Sequence, residues 1–194
     1  MKDTIPAQTK KILETERLVL RELVPSDLPA MCRVLQDKET MYAYEHAFSA
    51  SEIRAWLDNQ YRRYREDGFG LWAVVLASTG KMIGQCGLTL QDCGGFTGVE
   101  VGYLFNRAYW HCGYATEAAR ACRDHAFERY PSLGAVFSVI RDNNEPSKRV
   151  ALRNGMTAGR GLIKHYYGMD MPHTVYSVTR AEYDALKAKE RQDG

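Results

Sequence analysis

Three strand-like stretches follow one another with no helix between them, and this limits the chain more than any other feature. They cover residues 69–76, 82–90 and 99–105, each rich in β-branched and aromatic residues. Ser78-Thr79-Gly80-Lys81 reads as a hairpin turn between the first two. Cys93-Gly94-Gly95-Phe96-Thr97-Gly98 reads as a flexible connection before the third. Gly84 and Gly87 inside the second stretch mark a bulge or a close backbone approach. Consecutive antiparallel strands exclude a doubly wound parallel sheet here and point to an α+β domain. The third strand then runs through Tyr109-Trp110-His111-Cys112-Gly113-Tyr114-Ala115-Thr116 into a helix that extends to about residue 130. The first turn of a helix carries N–H groups with no acceptor inside the helix, and the helix dipole adds positive potential. A strand, a Gly turn and a helix start are therefore either an anion cradle that needs no Lys or Arg or an ordinary helix start.

Upstream, residues 16–23 alternate charged and apolar side chains and predict a half-buried strand. Pro25-Ser26-Asp27 opens a helix with Ser26 or Asp27 as cap, and Ser49 and Ser51 open another. The second helix has an apolar stripe through Ile53, Trp56, Leu57, Tyr61 and Tyr64. Its face of Arg54, Arg62, Arg63 and Arg65 reads as solvated. Downstream, residues 135–140 form a compact apolar strand expected at the centre of the sheet. Asn144 caps a helix with Pro146 in its first turn, and Asn154-Gly155 ends it. Two more strands are expected at 158–167 and 173–179, with a loop of Gly168-Met169-Asp170-Met171-Pro172 between them. The domain is expected over residues 12–182, with flexible tails at 1–11 and 183–194, and residues 180–194 read as a short charged helix and a frayed tail.

Composition narrows the function classes. Twenty-six Lys and Arg against 24 Asp and Glu give a net charge of +2 in 194 residues, too little to argue for nucleic acid or an anionic membrane. No apolar run approaches the ~20 residues of a membrane span. Five cysteines without a Cys-x-x-Cys read as reduced thiols of a cytoplasmic protein. The five histidines show no metal-ligand spacing, so no metal is expected.

Two motifs carry a resemblance. Trp110-His111-Cys112-Gly113-Tyr114-Ala115 resembles the cofactor loop of the GNAT N-acetyltransferase superfamily. The usual Gln or Arg of its first position is Trp110 here, as in the subgroup that resembles ribosomal-protein-alanine/serine N-acetyltransferases. Asn144-Glu145-Pro146-Ser147, followed by Asn154-Gly155-Met156, is similar to that subgroup's Asn-x-x-Ser helix, with Met156 in place of an aromatic residue. The opening Thr15-Glu16-Arg17-Leu18-Val19-Leu20-Arg21 is similar as well. The resemblance implies a mixed, mostly antiparallel sheet of about seven strands flanked by about four helices, splayed between the fourth and fifth strands.

It also implies an acetyl-CoA-dependent acyltransferase that moves acetyl to a primary amine by direct attack in a ternary complex. The acceptor would be a protein N-terminus or a small-molecule amine, and the protein a monomer or homodimer. A non-catalytic CoA-binding sensor or interaction module is the alternative. The N–H groups of His111, Cys112, Gly113, Tyr114, Ala115 and Thr116 would hold the pyrophosphate. The main chain of Tyr103, Leu104 and Phe105, with Asn144 and Ser147, would hold the pantetheine arm. Glu100 is either a general base or a structural carboxylate. Ser147 is either a thiolate proton donor or a plain helix-start hydroxyl. Many members carry a Tyr acid where Ala151 stands, so a phenol from Tyr166 or Tyr167 is another source of the proton. Tyr42, Tyr44, Glu45, His46 and Tyr166 are the acceptor-side candidates, with Asp170 and His173 weaker ones. Trp110 reads as packing beneath the loop, and Cys112, with no His-Asn pair to activate it, is not read as a nucleophile.

Overall fold

The computed structural model describes residues 9–192. The expected tails over 1–8 and 193–194 lie outside the described residues. Eight strands form one sheet in the order β1-β2-β3-β4-β5-β6-β8-β7. They are β1 (Lys11–Glu14), β2 (Leu18–Arg21), β3 (Leu71–Leu76), β4 (Met82–Asp92), β5 (Thr97–Phe105), β6 (Ala135–Arg141), β7 (Thr157–Tyr166) and β8 (Met169–Thr179). Five α-helices join them: α1 (Leu28–Leu35), α2 (Ala50–Glu66), α3 (Tyr114–Arg129), α4 (Glu145–Arg153) and α5 (Arg180–Gln192). All neighbouring strands are antiparallel except β5 and β6, whose parallel ladder is reduced to the single pairing Glu100–Phe137. The expected splay falls there.

The sheet is covered on both faces, and the strand sequences explain how. Leu18 and Leu20 of β2 with Trp72 and Val74 of β3 pack into one core beneath α3, joined by Cys122, Phe127 and Tyr183. The alternate residues Val19, Ala73 and Val75 pack into a second core with Met31, Leu35, Ile53 and Leu57 of α1 and α2. The expectation of a half-buried strand at 16–23 is thus corrected, because all four residues of β2 are buried. Arg21 is tolerated there because Asp27 accepts both its terminal nitrogens, each at 2.7 Å. Asp27 also accepts the N–H of Val24, so it caps the turn that leads into α1. A buried bidentate pair of this kind makes loss of either partner costly, because the other charge is left without compensation.

Four further differences have local causes. Lys11 lies in a strand and not a tail, since β1 pairs with β2 at Lys11–Arg21. Residues 183–192 belong to α5, which is held by buried Tyr183 stacked on Phe127 at 4.5 Å. The loop expected at 168–172 is a two-residue turn, Tyr167-Gly168, with φ of 52° and 72°. Positive φ at both positions matches the twist of a tight hairpin, so β8 begins at Met169. The Gly-rich β4–β5 connection is tied down, with Asp92 Oδ1 accepting the N–H groups of Gly94 and Gly95 at 2.9 Å. The reading of Gly87 as a close approach holds, since a Cβ there would meet the Gly70 carbonyl oxygen at 2.1 Å.

Candidate active site

Two clefts open on either side of the β5–β6 splay. The larger, of about 1330 Å³, runs between the start of α3, the end of β5 and α4. The smaller, of about 370 Å³, lies between α2, the middle of β5 and the β7–β8 hairpin. Both are lined by Thr40, Tyr103, Leu104, Asn144 and Ser147, so they meet at those residues.

One wall of the larger cleft is set by backbone conformation. Gly113 takes φ 82° at the N-cap of α3, a left-handed conformation that costs Gly nothing. A Cβ there would meet only Arg17 Nη2 at 3.4 Å, so the backbone angle, not crowding, calls for Gly. His111 before it also has a positive φ, 61°. Among the described residues, the backbone hydrogen bonds leave the N–H groups of Gly113, Tyr114, Ala115 and Thr116 without an acceptor, and the first α3 bond is Glu117 N to Gly113 O at 3.0 Å. Trp110 packs against the core, and its indole N–H donates to the Phe105 carbonyl at 2.9 Å, which anchors the loop to the strand end. His111 and Cys112 are exposed.

One clamp on this loop went unseen in the sequence. Arg17 donates to Glu117 Oε2 at 2.7 Å and to the Cys112 carbonyl at 3.0 Å, and its guanidinium lies 4.6 Å from the centre of the Tyr114 ring. Thr15 Oγ1 donates to the other Glu117 oxygen at 2.6 Å. Burial alone would raise the Glu117 carboxyl. The hydrogen bonds from Thr15 and Arg17 and the Arg17 charge outweigh it and hold the carboxyl below its ordinary value. Arg120, Arg149 and Arg153 also line the cleft. The cradle therefore has cationic neighbours that the backbone argument did not require.

At the junction, Asn144 Oδ1 accepts the Ser147 N–H at 3.2 Å and the Tyr42 hydroxyl at 2.8 Å. Its side-chain NH₂ stays free to donate. Tyr103 reaches across from β5 and donates its hydroxyl to the Ser147 carbonyl at 2.8 Å, which holds α4 against the splay. Burial drives the Tyr103 phenol far above its ordinary value, so it keeps its proton. Ala151 is fully buried.

Glu100 sits in the gap itself. Its Oε1 accepts the Val139 N–H at 2.9 Å, in place of a ladder bond that the splay removes, and its Oε2 accepts from Thr89 at 3.2 Å. Burial pushes its carboxyl up, while those donors, Lys164 and Arg63 pull it back. A carboxyl with raised affinity for a proton in a cleft is suited to acid–base work, and here it is also a structural plug.

The acceptor-side candidates divide. Tyr44 and Tyr166 line the smaller cleft. His46 bonds Glu52 at 2.9 Å and meets the Tyr167 ring edge-on at 4.6 Å, at the rim. Tyr42 faces the larger cleft instead, turned there by its bond to Asn144. Glu45 is engaged with Arg141, which ties its loop to the end of β6. Asp170 pairs with His165 on the exposed hairpin, while His173 lines the smaller cleft. The Arg face of α2 is not wholly solvated: Arg63 is half-buried and turned into the smaller cleft.

Residues 17–157 match the family model of the acetyltransferase (GNAT) domain. The chain belongs to the GNAT acetyltransferase family. It is an acyltransferase by that membership. It is similar to the uncharacterized protein YkkB of Bacillus subtilis, with 35% identity over 81% of this chain and 91% of that one. An acetyltransferase structure from Agrobacterium tumefaciens superposes with TM-score 0.72 at 29% identity, over 91% of this chain and 96% of that one. RimL, a ribosomal L7/L12 alpha-N-protein acetyltransferase solved in complex with coenzyme A, shares the fold at TM-score 0.69 and 18% identity, over 88% of this chain and 98% of that one.

Proposed function

We propose that this GNAT chain transfers acetyl from acetyl-CoA to a primary amine, by direct attack in a ternary complex. The observation that carries the reading is the meeting of the two clefts at Tyr103, Leu104, Asn144 and Ser147, beside the open edge of β5. One cleft suits a long anionic cofactor and the other a small acceptor. The complex of RimL with coenzyme A supports the choice of cofactor.

The residues present fit that cofactor. The free N–H groups from Gly113 to Thr116, on a loop that only a positive φ permits, suit a pyrophosphate, and Arg17 or Arg120 lies close enough to add charge. The stretch Tyr103 to Phe105 makes no ladder pair with β6, although the Trp110 indole already takes the Phe105 carbonyl, and it suits an amide-bearing arm added like a strand, with the Asn144 NH₂ as a further donor. When bound, acetyl-CoA supplies the thioester carbonyl that an amine attacks. The chain's own groups do the rest. A main-chain N–H of β5 polarises the carbonyl oxygen. Glu100 takes the proton that the amine nitrogen loses as its bond to carbon forms. The Ser147 hydroxyl, at the junction, would donate its proton to the departing thiolate and take one back from solvent.

The test is an acceptor screen read by thiol release. Stoichiometric thiol and acetylated amine are expected for at least one class of primary amine. Acetyl-CoA binding without turnover of any amine overturns the catalytic reading in favour of a CoA-binding module.

A further inference from the structure

The smaller cleft holds more positive charge than its own groups neutralise. Its walls carry three cations, Arg63, Arg141 and Lys164, and one carboxylate, Glu100. Arg141 is taken by Glu45 and by the Ala43 carbonyl at 3.3 Å. Glu100 is taken by Val139 and Thr89. Arg63 and Lys164 are both half-buried, and among the described residues neither side chain makes a hydrogen bond or an ion pair within 4.0 Å. Both act on Glu100 only at longer range. Two unpaired cations on separate elements, α2 and β7, converging on one small cleft, are costly to desolvate unless something anionic joins them. His173 feels the same surroundings. Burial lowers its affinity for a proton, and the charges of Lys164 and Arg141 lower it further against the opposing pull of the Met171 carbonyl.

We infer that the acceptor is a small amine that also bears a carboxylate, held by Arg63 and Lys164 while its amine faces Glu100 and the junction with the larger cleft. The inference rests on the acetyl-transfer reading above and narrows its acceptor. A cleft of about 370 Å³ suits a molecule of amino-acid size. His46 on the α1–α2 connection meets Tyr167, which lines the cleft at the β7–β8 turn, so these two segments are tied together beside it. Tyr44, Phe48 and Trp56, packed edge to face at 5.6–6.4 Å, form an apolar wall for whatever side chain the acceptor carries.

The experiment screens each protein amino acid beside its carboxamide and its decarboxylated amine, with acetyl-CoA, in the wild-type protein and in Arg63→Met, Lys164→Met and Arg63→Lys. Charge-assisted pairing predicts that at least one amino acid is preferred over both of its neutral analogues by about ten- to a hundredfold in kcat/KM. Arg63→Met and Lys164→Met should each shrink that ratio at least tenfold, mainly through KM, while the acetyl-CoA-induced rise in Tm persists, and Arg63→Lys should recover part of it. Equal rates for acids and neutral analogues, or an unchanged ratio in variants that still bind acetyl-CoA, overturn the inference. So does turnover confined to peptides. If no amine is acetylated, calorimetry of the same amino acids against the CoA-loaded protein separates the two ideas. Arg63-dependent binding then keeps the carboxylate site and overturns only the transferase reading, and no binding overturns the site.

Discussion

The two clefts that meet at Ser147 are built on different principles. The larger one presents main-chain groups at the first turn of α3, the open edge of β5 and the capped start of α4, flanked by the arginines Arg17, Arg120, Arg149 and Arg153. The smaller is made of side chains drawn from α2, β5, β6 and the β7–β8 hairpin, and from the connection before α2. Backbone donors read a feature that a cofactor always has. Side chains such as Arg63, Lys164 and Tyr44 can change without disturbing the fold, and so can select one acceptor. On the proposed reading, the conformation of the loop would bind the cofactor and the far side of the splay would choose the amine, with Glu100 and Ser147 between them.

That division can be broken at its strongest point first. Gly113→Asp places a Cβ at φ 82° and a carboxylate among the free N–H groups, and should remove the acetyl-CoA-dependent rise in Tm altogether. A retained rise would mean that the cradle lies elsewhere. Glu100→Gln keeps one acceptor oxygen for the Val139 N–H and turns an NH₂ toward the Thr89 hydroxyl, which can accept from it, and should lower kcat about 10²-fold, the low end for loss of a general base, with acetyl-CoA binding unchanged. Loss of Tm in place of kcat would make Glu100 a plug alone. Ser147→Ala should lower turnover about tenfold and leave cofactor affinity near wild type. An unchanged kcat removes the hydroxyl from the chemistry.

The smallest effect concerns pH. Glu117 is held below its ordinary value of 4.5 in the folded state, so its contribution to stability is present above that value and is lost as pH falls through the folded pKa. Glu117→Gln should therefore flatten the fall of Tm on the acid side, at and below pH ~4.5, measured by thermal melts across that range. An unaltered slope would mean that the Thr15–Arg17–Glu117 clamp adds nothing to the loop.

The same contrast explains what could be read from the sequence. Gly113, Asn144, Pro146 and the apolar run of β6 impose local conformations, and local conformations leave local signatures. The Gly turn before α3, the α4 cap and the β6 strand were legible for that reason. The reach of Arg17 to Glu117, 100 residues away, was not, because nothing near either residue demands it. Arg63 looked solvated because three other arginines share its helix, and only the turn of α2 against the sheet separates it from them. Tyr42 lines the larger cleft because it bonds Asn144, 102 residues on, and nothing near either residue signals that bond. β1 and the buried state of β2 were missed because a strand covered on both faces by alternating residues reads, in one dimension, like a strand with a wet face.

The most direct test of the central claim is one titration: thiol release from acetyl-CoA against the panel of primary amines, with mass spectrometry of the product. The account predicts one thiol released for each acetyl gained on nitrogen, and a rate that falls about 10²-fold in Glu100→Gln while acetyl-CoA still raises Tm. A wild-type protein that binds acetyl-CoA and releases no thiol to any amine would contradict it.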